Sequence, residues 1–379
     1  MNFKTGQHGG YAEGDTFVGI ERFMGSNGAD SFVGGAGADY FDGAGGTDLV
    51  SFASESEAIV LDLTKPLTGA AAGDTYLNIE AYEGTAFNDT FIGTAANENF
   101  IGGAGADVIN GGAGKDAAWY VNSAAGVSID LAAGTAHGGD AEGDVLSGIE
   151  GLAGSAFDDV LNGDANSNTL FGAEGNDVIN GGAGNDFLYG DGIYYDFGVL
   201  TRKENMQVAQ ADIINGGDGD DTIYGGGSND VGAVLHGDAG NDFIQTARGK
   251  AYGDEGSDRL VGNGNGYELY GGAGADRMDM MSSGFADGGE GSDVYNVNSR
   301  TPVYIQDTGS SGIDVVMLKN IETFNDVVVK NDGVSVYIFS KANWDAGNLD
   351  SGVVLSNWYA GGNTIESFQT NNGDSFTIS

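Results

Sequence analysis

Apolar residues recur along much of this chain once every nine positions, a spacing that is neither helical nor simply alternating. Residues 154–189 show it most plainly, as GSAFDDVLN, GDANSNTLF, GAEGNDVIN and GGAGNDFLY. The eighth position is Leu161, Leu170, Ile179 or Leu188, and polar residues mostly flank it. Because successive strand residues point to opposite faces, this pattern predicts a very short strand with one inward side chain. The six residues before it are rich in glycine, which reaches positive φ without steric cost, so they predict a tight turn. Nine residues then make a turn plus a strand, and two such units make one coil with a strand on each side. Stacked coils bury the eighth residues between two parallel sheets. The predicted fold class is all-β, a right-handed parallel β-roll (a β-helix solenoid) with a β-rich C-terminal cap.

The same phase marks the sixth position with an acid or its amide. In 154–189 these are Asp159, Asn168, Asp177 and Asp186. An earlier block, GSNGADSFV, GGAGADYFD and GAGGTDLVS, carries Asp30, Asp39 and Asp48. A second block from Gly84 carries Asp89, Glu98, Asp107 and Asp116. Asp107 and Asp177 are 70 residues apart, as are Asp116 and Asp186, so a large unit is duplicated. After Tyr189 the segment 193–210 (IYYDFGVLTRKENMQVAQ) interrupts the period and is expected to leave the coil as a surface loop, with Arg202 and Lys203 forming a basic spot that contacts another copy or an anionic glycan. The phase returns at Asp212 and continues through Asp221, Asp230, Asp242, Asp258, Asp276 and Asp293 to an isolated Asp314. TARGKAY at 246–252 lacks an acid, and Tyr267 replaces Asp in GNGNGYELY, so these turns are expected to continue the coil without metal.

Spacers separate the blocks. Asp15, Asp74 and Asp144 align within them, as do the pairs Ile20-Glu21, Ile79-Glu80 and Ile149-Glu150. These acids read equally well as extra metal ligands or as packing elements. The first spacer copy starts part-way through the pattern, so the chain reads as a piece of a longer protein. The expected division is 1–51, 52–120, 121–297 with the insertion, and a C-terminal region 298–379. In the last, DVVVKNDGVSVYIF predicts a hairpin turning at Asn331-Asp332-Gly333.

Composition narrows the function classes. Glycine is 70 of 379 residues but proline only 2, and no three-residue period exists, which excludes a collagen-like chain. Hydrophobic residues at 40 % in fixed phase argue against a flexible linker. A net charge of −42 argues against nucleic acid or an anionic membrane surface as a direct partner. Cysteine is absent and histidine occurs only at His8, His137 and His236, so neither disulfides nor a soft-metal centre is expected. No apolar run reaches membrane-spanning length, and MNFKTGQHGG lacks a signal-peptide core. Neither an H-E-x-x-H nor a G-x-S-x-G motif occurs, and no catalytic residue is assigned.

The phased carboxylates carry the candidate chemistry. Asp favours turns by bonding its own backbone, but that does not keep it at one position throughout an array. A halophile's acidic coat would scatter acids over every outward position, whereas positions seven and nine are mostly uncharged. Stacked turns instead align carboxylates and carbonyls into rows of hard oxygen ligands, suited to Ca²⁺. Metal ligands are expected to pair between units i and i+2: Asp30 with Asp48, Asp89 with Asp107, Glu98 with Asp116, Asp159 with Asp177, and Asn168 with Asp186.

On these motifs the chain resembles the RTX calcium-binding repeat proteins. Its spacer-plus-block unit is similar to the R-modules of mannuronan C-5-epimerases, and its end resembles the region that follows RTX arrays. The resemblance implies several bound Ca²⁺ ions, type I secretion through an uncleaved C-terminal signal, and a place outside the cell or on its surface. The leading expectation is a non-catalytic structural or surface-attached module of a surface layer, adhesin or matrix. The alternative is the non-catalytic C-terminal part of a secreted polysaccharide epimerase, lyase or metalloprotease. Further partners considered are copies of itself and a surface or matrix glycan, with Trp119, Tyr120, Tyr194, Tyr195, Trp344, Trp358 and Tyr359 as stacking residues.

Overall fold

The computed structural model describes residues 21–34, 37–191, 193–196, 199–202, 210–227, 232–348, 352–360 and 365–378. Asp15, Ile20, Lys203 and Asp230 lie outside them, as do the side chains of Tyr194, Tyr195 and Arg202. The described residues form an all-β parallel roll, assigned to two compact units. The first takes Met1–Asp164, Asn168–Val178 and Ile193–Lys203, and the second Ala165–Ser167, Ile179–Gly192 and Glu204–Ser379.

In the first unit successive short strands alternate between sheets. Ser31–Val33, Leu49–Ser51, Ala81–Glu83, Asn99–Ile101, Ala117–Trp119, Gly151–Ala153 and Thr169–Ala173 pair in parallel in one sheet. Val60–Asp62, Thr90–Ile92, Val108–Asn110 and Val145–Ser147 do so in another. Phe32 lies opposite Val50 and Phe100 opposite Ala118, so eighth positions stack on eighth positions. These residues are buried, as are Phe41, Phe91, Ile109 and Leu161. The spacers supply rungs as well: Ala81 lies opposite Leu49 in the first of these sheets, and Thr75 opposite Tyr40 in a separate three-stranded sheet with Arg22–Met24. A spacer therefore replaces one coil.

In the second unit Phe187–Asp191, Thr222–Tyr224, Phe243–Thr246, Arg259–Gly262, Arg277–Met280, Val294–Val297, Asp314–Leu318 and Ile365–Thr370 form one parallel sheet. Ile213–Asp218, Val234–Ala239, Gly249–Glu255, Tyr267–Ala273, Gly284–Glu290, Val303–Ile305 and Val353–Leu355 form the other. The acid-poor turns at 246–252 and 262–270 do not break this register. Both sheets end in antiparallel strands: Ser375–Phe376 on one, and the hairpin Val327–Asn331 with Val336–Ser340 on the other. That hairpin is the predicted one. Asp332 holds its turn by accepting the N–H groups of Val334 (2.9 Å) and Ser335 (2.8 Å), and Gly333 takes φ 90°.

Of the insertion 193–210, the structure describes residues 193–196, 199–202 and 210. Ile193–Asp196 pairs antiparallel with Val199–Arg202, so its backbone forms a short hairpin. Among the described residues no helix is long and apolar enough to cross a membrane.

Candidate metal centres

One kind of hydrogen bond joins sixth positions of stacked coils, in separate series, or ladders, along the turns. The backbone N–H of Asp30 donates to Asp48 Oδ1 (2.8 Å), and Asp89 to Asp107 (2.7 Å). Glu98 likewise donates to Asp116 (2.8 Å) and Asp159 to Asp177 (2.9 Å). Four expected i to i+2 pairs are thus in direct contact. In the second unit Asp186 donates to Asp221, Asp221 to Asp242, Asp242 to Asp258, Asp258 to Asp276, Asp276 to Asp293, and Asp293 to Asp314, all at 2.7–2.8 Å. Sequence separation along this series varies from 16 to 35 residues while the bond length does not, so the coil sets the register.

The spacer acids belong to the same ladders. Asp39 donates to Asp74 Oδ1 (2.8 Å) and Asp48 to Glu80 Oε2 (3.0 Å). Asp107 donates to Asp144 Oδ1 (2.7 Å) and Asp116 to Glu150 Oε2 (3.0 Å). They take the sixth-position geometry without the nonapeptide. Asp314 in turn donates to Glu366 Oε2 (2.7 Å), a residue missed in the sequence although Ile365-Glu366 repeats the spacer's Ile-Glu signature. The buried Asp307 was missed too, and it lies outside any nonapeptide.

The ladders occupy one oxygen of each carboxylate, and the environment of the other sorts the turns into three kinds. In the open turns the second residue is left-handed, as at Ala44, Gly103, Gly112, Gly217, Asp238, Asp254, Gly272 and Gly289. The matching Oδ2 atoms of Asp48, Asp107, Asp116, Asp221, Asp242, Asp258, Asp276 and Asp293 are buried without a hydrogen-bond partner. First-position glycines line the space beside them. A Cβ on Gly253 would stand 2.3 Å from Asp258 Oδ2 and 2.4 Å from the Gly271 carbonyl oxygen of the next coil. A Cβ on Gly237 would meet Asp242 Oδ2 at 2.3 Å and the Gly253 carbonyl at 2.7 Å. Gly190 stands in the same relation to Asp212 Oδ2 (2.1 Å), so the phase does resume after the insertion. Carboxylate and carbonyl oxygens are both acceptors, and leaving an ionised one buried without a donor is costly. A hard cation satisfies both, and the open-turn carboxylates with the adjoining carbonyls are the residues that would hold it.

In the second kind of turn the chain satisfies its own carboxylate. The N–H groups of Ser26, Thr85 and Ser155 donate to Oδ2 of Asp30 (2.6 Å), Asp89 (2.5 Å) and Asp159 (2.6 Å). Their hydroxyls add bonds at 2.9–3.0 Å. Thr94 caps Glu98 in the same way, and Asn168 Oδ1 accepts the Asp164 N–H at 2.8 Å. These are the first or second turns of their repeat blocks, and the sixth-position phase does not distinguish them from the open ones. The third kind is plugged. The Tyr267 ring lies 2.5 Å or less from where a Cβ on Gly262 or Gly284 would be, and its hydroxyl donates to the Ser282 carbonyl (2.7 Å). An aromatic ring thus fills the space of an open turn.

Burial raises the open-turn carboxyls far above the usual carboxylate range, and neighbouring acids add to it. Asp48, Asp116 and Asp258 move to about 6, Asp107, Asp221, Asp276 and Asp293 to about 7, and Asp242 to about 8. The ladder's backbone N–H groups oppose the shift only in part.

Among the candidate stacking residues Trp344 and Tyr359 are exposed, at 36 % and 47 %. Trp119 and Tyr120 are buried. Outward rings stack on one another instead: Tyr189 on Tyr224 at 4.9 Å, and His236, Tyr252 and Tyr270 in a column at 4.6 and 4.8 Å. Their faces cover each other.

The family comparison agrees with this geometry. A family model described as the RTX calcium-binding nonapeptide repeat (4 copies) matches residues 15–50, 83–117, 144–178, 162–192, 209–232, 233–250 and 252–279, together half of the chain. Among solved structures, the chain is similar to a hyperactive, Ca²⁺-dependent, β-helical antifreeze protein from an Antarctic bacterium. The identity is 17 %, the TM-score 0.32, and the match covers 96 % of this chain and 97 % of that one. The search of curated proteins finds no match. The repeats bind Ca²⁺, and the chain belongs to the RTX calcium-binding nonapeptide repeat family.

Proposed function

We propose that the chain is a calcium-folded structural module that works outside the cell or on its surface, without chemistry of its own. The observation that carries this reading is the row of buried, unpartnered carboxylate oxygens in the open turns. Each strand of the repeat blocks places about one side chain in the core, so apolar burial per coil is small against the entropy of ordering a glycine-rich chain. Bound Ca²⁺ supplies the positive charge that the open turns lack. The chain's own part is to hold one oxygen of each carboxylate in the ladder and aim the other at the next coil's carbonyl. Binding and folding are then one equilibrium. A chain of this kind stays extended where free calcium is low and folds where it reaches the millimolar range typical of extracellular modules. That behaviour suits export through a type I system and service in a surface layer, adhesin or matrix, with 52–120 and 121–297 as modules each opened by a spacer.

Circular dichroism of the full chain in EGTA and then in millimolar CaCl₂ tests this. The expected result is strand signal only with calcium. A strand-rich spectrum in EGTA with an unchanged thermal midpoint would overturn it.

A further inference from the structure

The last turn of the array differs from every open turn before it. We propose that Asp307 joins Asp293 and Asp314 in a three-carboxylate site for one Ca²⁺ ion at this end of the array. The proposal rests on the calcium reading above and adds a ligand, Asp307, that the nonapeptide pattern does not contain. All three residues are buried, and one carboxylate oxygen from each lies within 4.8 Å of the others.

The register shows how the third carboxylate arrives. Ala286 lies opposite Ile305, so two residues further on Asp307 stands where the preceding coil has Gly288. In earlier open turns the space beside the sixth-position carboxylate is closed by a neutral carbonyl of the next coil, as Gly271 does for Asp258. Beside Asp293 that role passes to the Tyr295 hydroxyl. A Cβ on Gly288 would stand 2.3 Å from Asp293 Oδ2 and 2.7 Å from Tyr295 Oη, so both oxygens border one point. Tyr295 Oη accepts the Gly288 N–H (2.5 Å) and donates to Asp307 Oδ2 (2.8 Å). Tyr295 thus holds the Asp307 carboxylate close to those of Asp293 and Asp314.

Asp293 provides independent support. It is 0 % exposed and its Oδ2 has no hydrogen-bond partner. Asp314 Oδ1 is held by the Asp293 N–H (2.8 Å), and Asp307 Oδ1 by the Gly309 N–H (3.1 Å). These bonds orient the carboxylates without neutralising them. Calcium affinity rises with the number of charged ligands, so this site should be the tightest in the chain and the first to fill. Its position ties Gly284–Glu290 and Val294–Val297 to the strands that follow, Val303–Ile305 and Asp314–Leu318.

Calcium titration of the full chain by calorimetry against a competing chelator tests the site. Asp307→Asn and Asp307→Gly, the latter restoring the residue of the preceding coil, should each remove the tightest equivalent. Loss of a supporting contact alone costs about 10–100-fold in metal affinity, so loss of a direct ligand should cost at least that. Asp276→Asn, in an ordinary open turn, should leave the tightest equivalent in place. Terbium gives a readout on the unsubstituted chain: Tyr295 should sensitise emission from the first equivalent bound, and Tyr295→Phe should remove it. Asp307 variants that retain the tightest equivalent, or first-equivalent emission that survives Tyr295→Phe, would overturn the proposal. A chain that binds no calcium would instead refute the broader reading.

Discussion

Asp258→Asn separates the ladder from the metal. Asp258 Oδ1 accepts the Asp242 N–H at 2.8 Å, and its Oδ2 is buried without a partner beside the Gly271 carbonyl. Asparagine keeps the first interaction and turns the second oxygen into a donor aimed at that carbonyl. Asn168 shows that an amide fits a sixth position. The substitution should therefore act with opposite sign at the two ends of a calcium series. At a hundredfold excess over the dissociation constant, one site contributes about 2.7 kcal/mol, and the variant forfeits it. At vanishing calcium it removes an unsatisfied buried oxygen, a relief of about 1–3 kcal/mol. Urea unfolding followed by circular dichroism at several calcium concentrations that fold the chain gives the slope, and extrapolation gives the low end. The variant's stability should rise less steeply, by about 1.4 kcal/mol per tenfold calcium for each ion lost, and the two lines should cross. Parallel lines, displaced by a constant amount, would refute the assignment of Asp258 as a ligand.

Other expectations follow from the same geometry. Gly253→Ala places a methyl group against Asp258 Oδ2 and the Gly271 carbonyl and should cost about 1–3 kcal/mol in calcium. Gly227→Ala faces open space, and its thermal midpoint should barely move. Thr85→Val removes the hydroxyl bond to Asp89 (2.9 Å) and should cost about 0.5–1.5 kcal/mol, with calorimetric calcium stoichiometry unchanged. Leu260→Ala empties a fully buried rung and should cost about 2–5 kcal/mol in chemical denaturation. The pH dependence of the calcium-free chain should be inverted from the usual carboxylate case. The folded pKa of Asp242 is about 8 and that of Asp276 about 7, against 3.8 for the unfolded group. Between these values the folded state binds more protons, so its stability is greatest near pH 4 and falls as pH rises to about 8. More strand signal in EGTA at pH 8 than at pH 5 would contradict this. Calcium affinity should move the other way, because protons compete for the same oxygens.

The nine-residue period alone determined the parallel roll, the inward eighth residue and the carboxylate at the sixth. Each follows from local chain geometry, in which glycine sets the turn and alternation sets the faces. Phase also exposed the i to i+2 pairing, because two units close one coil whatever their exact composition. What a carboxylate does once placed depended on neighbours that the period does not specify. Thr85 and Ser155 cap the acid four residues later with N–H and hydroxyl donors, so Asp89 and Asp159 differ from Asp107 and Asp276 despite the same phase. Tyr267 fills its turn because the facing residues, Gly262 and Gly284, leave room for a ring. Asp74, Glu80, Asp144, Glu150 and Glu366 joined the sixth-position pattern only when the spacers and the C-terminal strands proved to stack in parallel on the repeat strands. Asp307 met Asp293 and Asp314 only because parallel pairing brought successive coils into register. Periodicity encodes where a residue lies along the coil, whereas the charge surrounding it is set by the coils above and below.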